Sequence, residues 1–136
     1  MKGGAGPATL PVARRLVTQH HFRAVYQRGR RAAGAWLTVV ALLRRGAPGT
    51  EPPSHVRLGV SVSKDHGGAV RRNKLKRLLR EAFRLERHRL PAGLDLVLIP
   101  RQRDDDFPLA QLRAELVQLV ERALQSGNDR RGRPRP

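Results

Sequence analysis

The chain has 136 residues, enough for one domain with a genuine core and short for two. It carries 28 Lys and Arg against 11 Asp and Glu, a net charge of +17, so its partner is a polyanion. No cysteine is present, which excludes disulfide frameworks, thiol catalysis and cysteine-held zinc. No apolar run nears the ~18 residues of a membrane span, and residues 1–13 lack the apolar stretch of a secretory signal, so a cytoplasmic protein without a membrane partner is expected.

Residues 1–13 (MKGGAGPATLPVA) hold three Gly and two Pro and read as a flexible arm. A short helix follows, with Thr18 as its cap and Val17 and Phe22 spaced as a hydrophobic staple. Phe22, Val25 and Tyr26 share one face, and Gly29 stops the helix. The β-branched run Trp36 to Leu43 predicts a largely buried strand, and the Pro- and Gly-rich stretch Arg44 to His55 a loop. Val56, Leu58, Val60 and Val62 then alternate with Arg57, Gly59, Ser61 and Ser63, the pattern of a strand with one face in the core and one small, polar face open. After Gly67-Gly68 a long helix is expected from about Arg72 to His88, with Leu75, Leu78, Leu79, Ala82 and Phe83 as its core stripe. Leu94 to Ile99 is a further strand. Asp104, Asp105 and Asp106 precede a last helix, where carboxylates favour the positive end of the dipole. Its buried face is Leu109, Leu112, Leu116, Leu119, Val120 and Ala123, and Gly127 is expected to end it. The reading is α+β, with an arm at 1–13, one domain at 14–125 and a flexible basic tail at 126–136.

The stretch Lys64 to Arg89 holds ten Lys or Arg against three acids. At about 100° per residue, Asn73, Lys76, Arg77, Arg80, Arg84 and Arg87 fall together beside the core stripe, as a basic ridge. Arg71, Arg72 and Lys74 crowd the expected helix start, where cations meet the positive end of the dipole. A local rule broken without structural gain points to function, here phosphate binding. Phe22 and Tyr26, one turn apart, could stack single-stranded bases beside such a ridge, which favours RNA over DNA. The tail's Arg131-Gly132-Arg133-Pro134 suggests a minor-groove hook but reads better as a solvated basic end. The five histidines include no pair at ligand spacing, and no Ser/His/Asp or paired-carboxylate constellation is visible. The polypeptide alone is therefore not expected to hydrolyse RNA.

RLGVSVSK (Arg57 to Lys64), Gly67 to Val70, and RRNKLKRLLREAF (Arg71 to Phe83) together resemble the bacterial ribonuclease P protein subunit. The likeness spans about residues 14–124. It implies an αβββαβα domain, a four-stranded sheet packed on helices with a left-handed βαβ crossover, of the kind seen in ribosomal protein S5 domain 2. Its short extra strand would fall near Arg31 to Gly34. It also implies a 1:1 partnership with a large catalytic RNA that uses Mg²⁺, and precursor tRNA as the substrate whose 5′ leader is removed. On that likeness Arg72, Asn73, Lys74 and Arg77 dock the catalytic RNA. Phe22, Tyr26, Lys76 and Arg80 contact the leader, and Lys64, Arg71 and Arg84 add phosphate contacts. The chain departs from the family pattern at Lys74, in place of a second Arg, at Asp65, where a lysine often stands, and at Val40, where an aromatic is frequent. The alternative is a structural RNA binder such as a ribosomal protein.

Overall fold

The structure, a computed structural model, describes residues 19–44, 49, 55–103 and 106–130. The elements run α1 (Gln19–Arg28), β1 (Arg30–Ala33), β2 (Leu37–Leu43), β3 (Arg57–Val60), α2 (Ala69–Glu86), β4 (Leu94–Pro100) and α3 (Leu109–Arg130), the implied αβββαβα order. Short 3₁₀ turns at Lys64–His66 and Arg87–Arg89 flank α2. The sheet order is β1-β2-β4-β3. β1 and β2 form a hairpin, β2 pairs antiparallel with β4, and β3 pairs parallel with β4 through the α2 crossover.

The central strands LTVVALL and LDLVLIP are apolar at nearly every position because both of their faces are covered. Side chains alternate across the sheet. Leu37, Val39 and Ala41 of β2, Leu58 of β3, and Leu94, Leu96 and Leu98 of β4 face α2 and α3, meeting Leu75, Leu79, Ala82, Phe83, Leu112, Leu116 and Leu119 in the main core. Val40 and Val97 face the other way and are sealed by Val25 of α1, with Phe22, Tyr26, Leu42 and Ile99 at the margin. A ten-residue helix is marginal alone, so α1 depends on this contact. A Cβ on Gly29 would fall 2.5 Å from the carbonyl oxygen of Val25 in the same helix and 2.9 Å from that of Ala41 on β2. Only glycine fits there, and its N–H closes the helix by donating to Val25 O at 2.7 Å.

Several expectations need correction. The strand read through Val62 keeps ladder pairing only over Arg57–Val60, with one further bond from Ser61 N–H to Leu98 O at 3.0 Å. α2 starts three residues early, at Ala69, since Gly67 (φ 116°) and the extended Gly68 turn the chain and admit its first turn. Arg71 and Arg72 therefore lie in the first turn, while Lys74 stands in the second. Asp106 precedes α3 as expected, and the first turn of that helix itself holds no acid. Phe107 is anchored beneath Trp36, centroids 5.5 Å apart, and Pro108 accepts the first helical bond from Leu112 N–H. Gly127 does not end α3, which continues to Arg130. The Val17–Thr18 cap, both chain ends, Asp104 and Asp105 lie outside the described residues.

One carboxylate ties α3 to the hairpin. Glu115 accepts the N–H groups of Ala35 at 2.7 Å, Trp36 at 2.9 Å and Leu37 at 3.0 Å, which the β1–β2 turn leaves without backbone partners. A second link joins α2 to α3, where the buried Glu86 takes Arg113 and Arg89. Glu115→Ala is expected to lower unfolding free energy by about 1–3 kcal/mol in urea titration, because three turn N–H groups lose their acceptor. Glu115→Gln, which keeps one carbonyl oxygen, should recover part of that loss.

Candidate nucleic-acid interface

Burial of Leu75, Leu79, Ala82, Phe83 and Glu86 fixes the rotation of α2 about its axis, and that rotation decides which cations face water. Asn73, Arg77 and Arg84 are exposed and Arg72, Lys76, Arg80 and Arg87 are half-buried along one flank, while Lys74 is exposed on the adjoining side. The helix carries seven Lys or Arg against Glu81 and Glu86, and its first turn has no acid. These cations are not equivalent. Arg72 bends back to donate from Nε to Gly67 O at 3.1 Å. The Arg84 guanidinium forks Glu81 at 2.9 and 2.7 Å, and that hydrogen bonding holds the Glu81 carboxyl below the usual range. Lys64 projects from a 3₁₀ turn pinned from beneath. Buried His66 donates from Nε2 to Pro100 O at 3.2 Å and meets the Phe107 ring at 6.1 Å, and the Gln102 amide donates to Asp65 O at 2.9 Å. Arg71 is exposed and reaches toward the Arg103 carbonyl.

The opposite face of the sheet holds the predicted aromatic pair. Phe22 and Tyr26 are half-buried, their centroids 6.4 Å apart and tilted by 30°. The Arg31 guanidinium carbon lies 5.7 Å from the Tyr26 centroid, within cation–π reach. Arg31 pairs with Val40 across the hairpin and so shares the α1 face. α1 packs on β2 and β4, whereas α2 packs on β3 and α3. The predicted leader set of Phe22, Tyr26, Lys76 and Arg80 is thus divided between two faces, and one ligand touching all four has to pass around the sheet margin. The floor expected from Arg57, Gly59, Ser61 and Ser63 is only partly open: Gly59 is buried, Arg57 and Ser61 are half-buried, and Ser63 is exposed.

Sequence reasoning missed a charged cluster on this face. Asp95, buried in β4, takes Arg57 through Nε and Nη2, both at 2.8 Å, and Arg44 Nη1 at 3.0 Å. Burial is the largest influence on Arg44 and pushes its guanidinium down; hydrogen bonding to Asp95 pushes Arg57 up. Both remain charged, because arginine ordinarily titrates far above neutrality. The signal was a lone Asp within an apolar strand, which demands a partner. Among the described residues no three His, Asp or Glu side chains gather as a metal site, and no helix is long and apolar enough to cross a membrane.

Residues 10–124 match the family described as Ribonuclease P. The chain is 43% identical over 91 residues to the ribonuclease P protein component of Oleidesulfovibrio alaskensis, covering 67% of this chain and 69% of that one. It is 37% identical over 109 residues to that of Brevibacillus brevis, covering 80% and 82%. The structure of the Staphylococcus aureus RNase P protein superposes with a TM-score of 0.66 at 31% identity, over 81% of this chain and 94% of that one. The Thermotoga maritima RNase P protein does so with a TM-score of 0.66 at 30% identity, over 79% and 96%.

Asp95→Asn would leave two partly buried guanidiniums without their anion. Stability should fall by about 2–4 kcal/mol in urea titration, somewhat under the cost of breaking a fully buried pair because both arginines reach solvent. A loss within error of zero would show that solvent alone satisfies them.

Proposed function

Because the chain belongs to the ribonuclease P protein family, as the protein component of a ribonucleoprotein endoribonuclease whose RNA performs the catalysis, we propose how its two surfaces divide the work of tRNA 5′ maturation. The α2 flank, with Arg72, Asn73, Lys74 and Arg77, docks the ribonuclease P RNA, one protein to one RNA. The α1 face, with Phe22 and Tyr26, receives the single-stranded leader of precursor tRNA, and Lys76 and Arg80 hold its phosphates where it rounds the sheet margin. Lys64, Arg71 and Arg84 add charge along the path. The observation that carries this reading is α2 itself, a helix locked by its core stripe whose other side concentrates cations, with Arg71 and Arg72 in a first turn where its own dipole disfavours them.

The protein's share of the chemistry is electrostatic. Its excess of cations offsets repulsion between catalytic RNA and substrate, so less divalent ion is needed to bring them together. Magnesium held by the RNA would supply charge stabilisation and activate the attacking water, chemistry for which this chain's own residues are not needed. Nucleobases stacked on Phe22 and Tyr26 bind without regard to sequence, which suits a substrate class whose leaders differ. The setting is the cytoplasm, where precursor tRNA is made.

The two surfaces are separable by mutation. Arg77 is exposed, and among the described residues no hydrogen bond or ion pair ties it to the fold, so Arg77→Ala should weaken binding to the ribonuclease P RNA by about 1–3 kcal/mol while leaving the melting temperature unchanged. Unchanged affinity in a binding titration would remove α2 as the docking surface. On the assembled holoenzyme, Tyr26→Ala should weaken leader-bearing precursor tRNA by about 1–3 kcal/mol and leave mature tRNA unaffected. Equal losses for both ligands, or a large drop in melting temperature, would return Tyr26 to a packing role.

A further inference from the structure

Val70 contradicts its surroundings. It is 84% exposed in the first turn of α2, between Arg71 and the ridge, and among the described residues the one other exposed large apolar side chain, Leu43, is only 46% exposed. Beside it a cavity of about 720 Å³ opens between the N-terminal half of α2 and the segment that leads into α3. Its walls are Val70, Leu75, Leu78 and Phe107, with Arg71 and Lys74 on the helix side and Asp106 on the facing segment. Such a volume, apolar with a few placed polar groups, is that of a small-molecule or nucleotide site.

The cavity lies on the flank of α2 away from the ridge. With Leu75 at zero, Leu78 falls near −60°, Lys74 near −100° and Val70 near −140°, whereas Asn73 and Arg77 fall near 160° and 200°. A polyanion seated on Asn73 and Arg77 therefore reaches the cavity by crossing Val70 and Lys74. The apolar walls suit a flat ring and the Lys74 ammonium suits the phosphate attached to it. Asp106 repels phosphate, so the part of the ligand that suits it is an N–H edge. Guanine alone among the RNA bases presents two adjacent donors, N1–H and N2–H, to the two oxygens of one carboxylate.

We propose that this cavity takes an unpaired guanine of the ribonuclease P RNA, its ring between Val70, Leu78 and Phe107, its Watson–Crick edge on Asp106 and its phosphate on Lys74. The assignment rests on the docking role of α2 and adds a base-reading contact to what is otherwise a charge interaction.

Kethoxal, which modifies N1 and N2 of unpaired guanines, tests it on the full-length protein bound to ribonuclease P RNA. One guanine should lose reactivity when wild-type protein binds and regain it when Asp106→Asn is bound at saturating concentration. Val70→Ser, an exposed change that leaves the core intact, should weaken RNA binding about tenfold, the size of a lost base contact. It should leave the slope of log affinity against log salt unchanged, because no phosphate contact is removed, whereas Arg77→Ala should reduce that slope by about one. If Arg77→Ala weakens binding but wild type, Asp106→Asn and Val70→Ser protect the same guanines, the cavity assignment falls and the docking role stands. If Arg77→Ala binds as wild type does, the docking role falls and takes the cavity with it. If the RNA-free chain self-associates and Val70→Ser abolishes that, the occupant is a second copy and the guanine assignment is overturned.

Discussion

Every residue of β4 except Ile99 is buried, and the molecule is assembled around that strand. β4 pairs with β2 on one side and β3 on the other, and it supplies one row of side chains to the α2/α3 core and another to the α1 contact. Burying full-sized aliphatic side chains is worth about 1.5–3 kcal/mol each, so the rows of leucine and valine on this strand and its neighbours supply most of the drive for folding. The one charged member, Asp95, is tolerated because two arginines come to it from outside β4, one on β3 and one just past β2. That clamp also holds the parallel β3 edge against β4, where a single strand pair carries the crossover.

With the core settled by hydrophobic burial, the surface is free to be electrostatically unfavourable. Cations crowd the start of α2, each costing about 0.3–1 kcal/mol against the dipole, and the helix persists because its other side is locked under Leu75, Leu79 and Phe83. Where the fold needs negative charge it uses it locally. Glu115 and Asp95 satisfy donors that would otherwise be stranded, and Glu86 joins two helices. Glu81 pairs with Arg84, on the C-terminal side of the docking residues. These four acids thus serve structure, and the ridge is left to face a polyanion.

The core stripe of α2, the buried face of α3, the two central strands and the glycine stop after α1 were all legible in the sequence, because periodicity reports which side of an element is dry. So was the basic ridge, since rotation about a helix axis follows from the same spacing. Helix ends were less legible. Gly67 and Gly68 allow α2 to begin at Ala69, and Gly127 lies inside α3, because glycine permits a turn without requiring one.

What the sequence determined by itself is the class of the protein and its partner: a single α+β domain whose RRNKLKRLLREAF helix presents cations to RNA. What only the tertiary structure decided is which distant groups meet. Asp95 with Arg44 and Arg57, Glu115 with the hairpin turn, Arg31 with Tyr26, and Val70 and Lys74 with Asp106 and Phe107 are all pairings across elements. Local spacing cannot supply them, because strand order and the placement of α1 and α2 on opposite faces of the sheet arise when the two cores close.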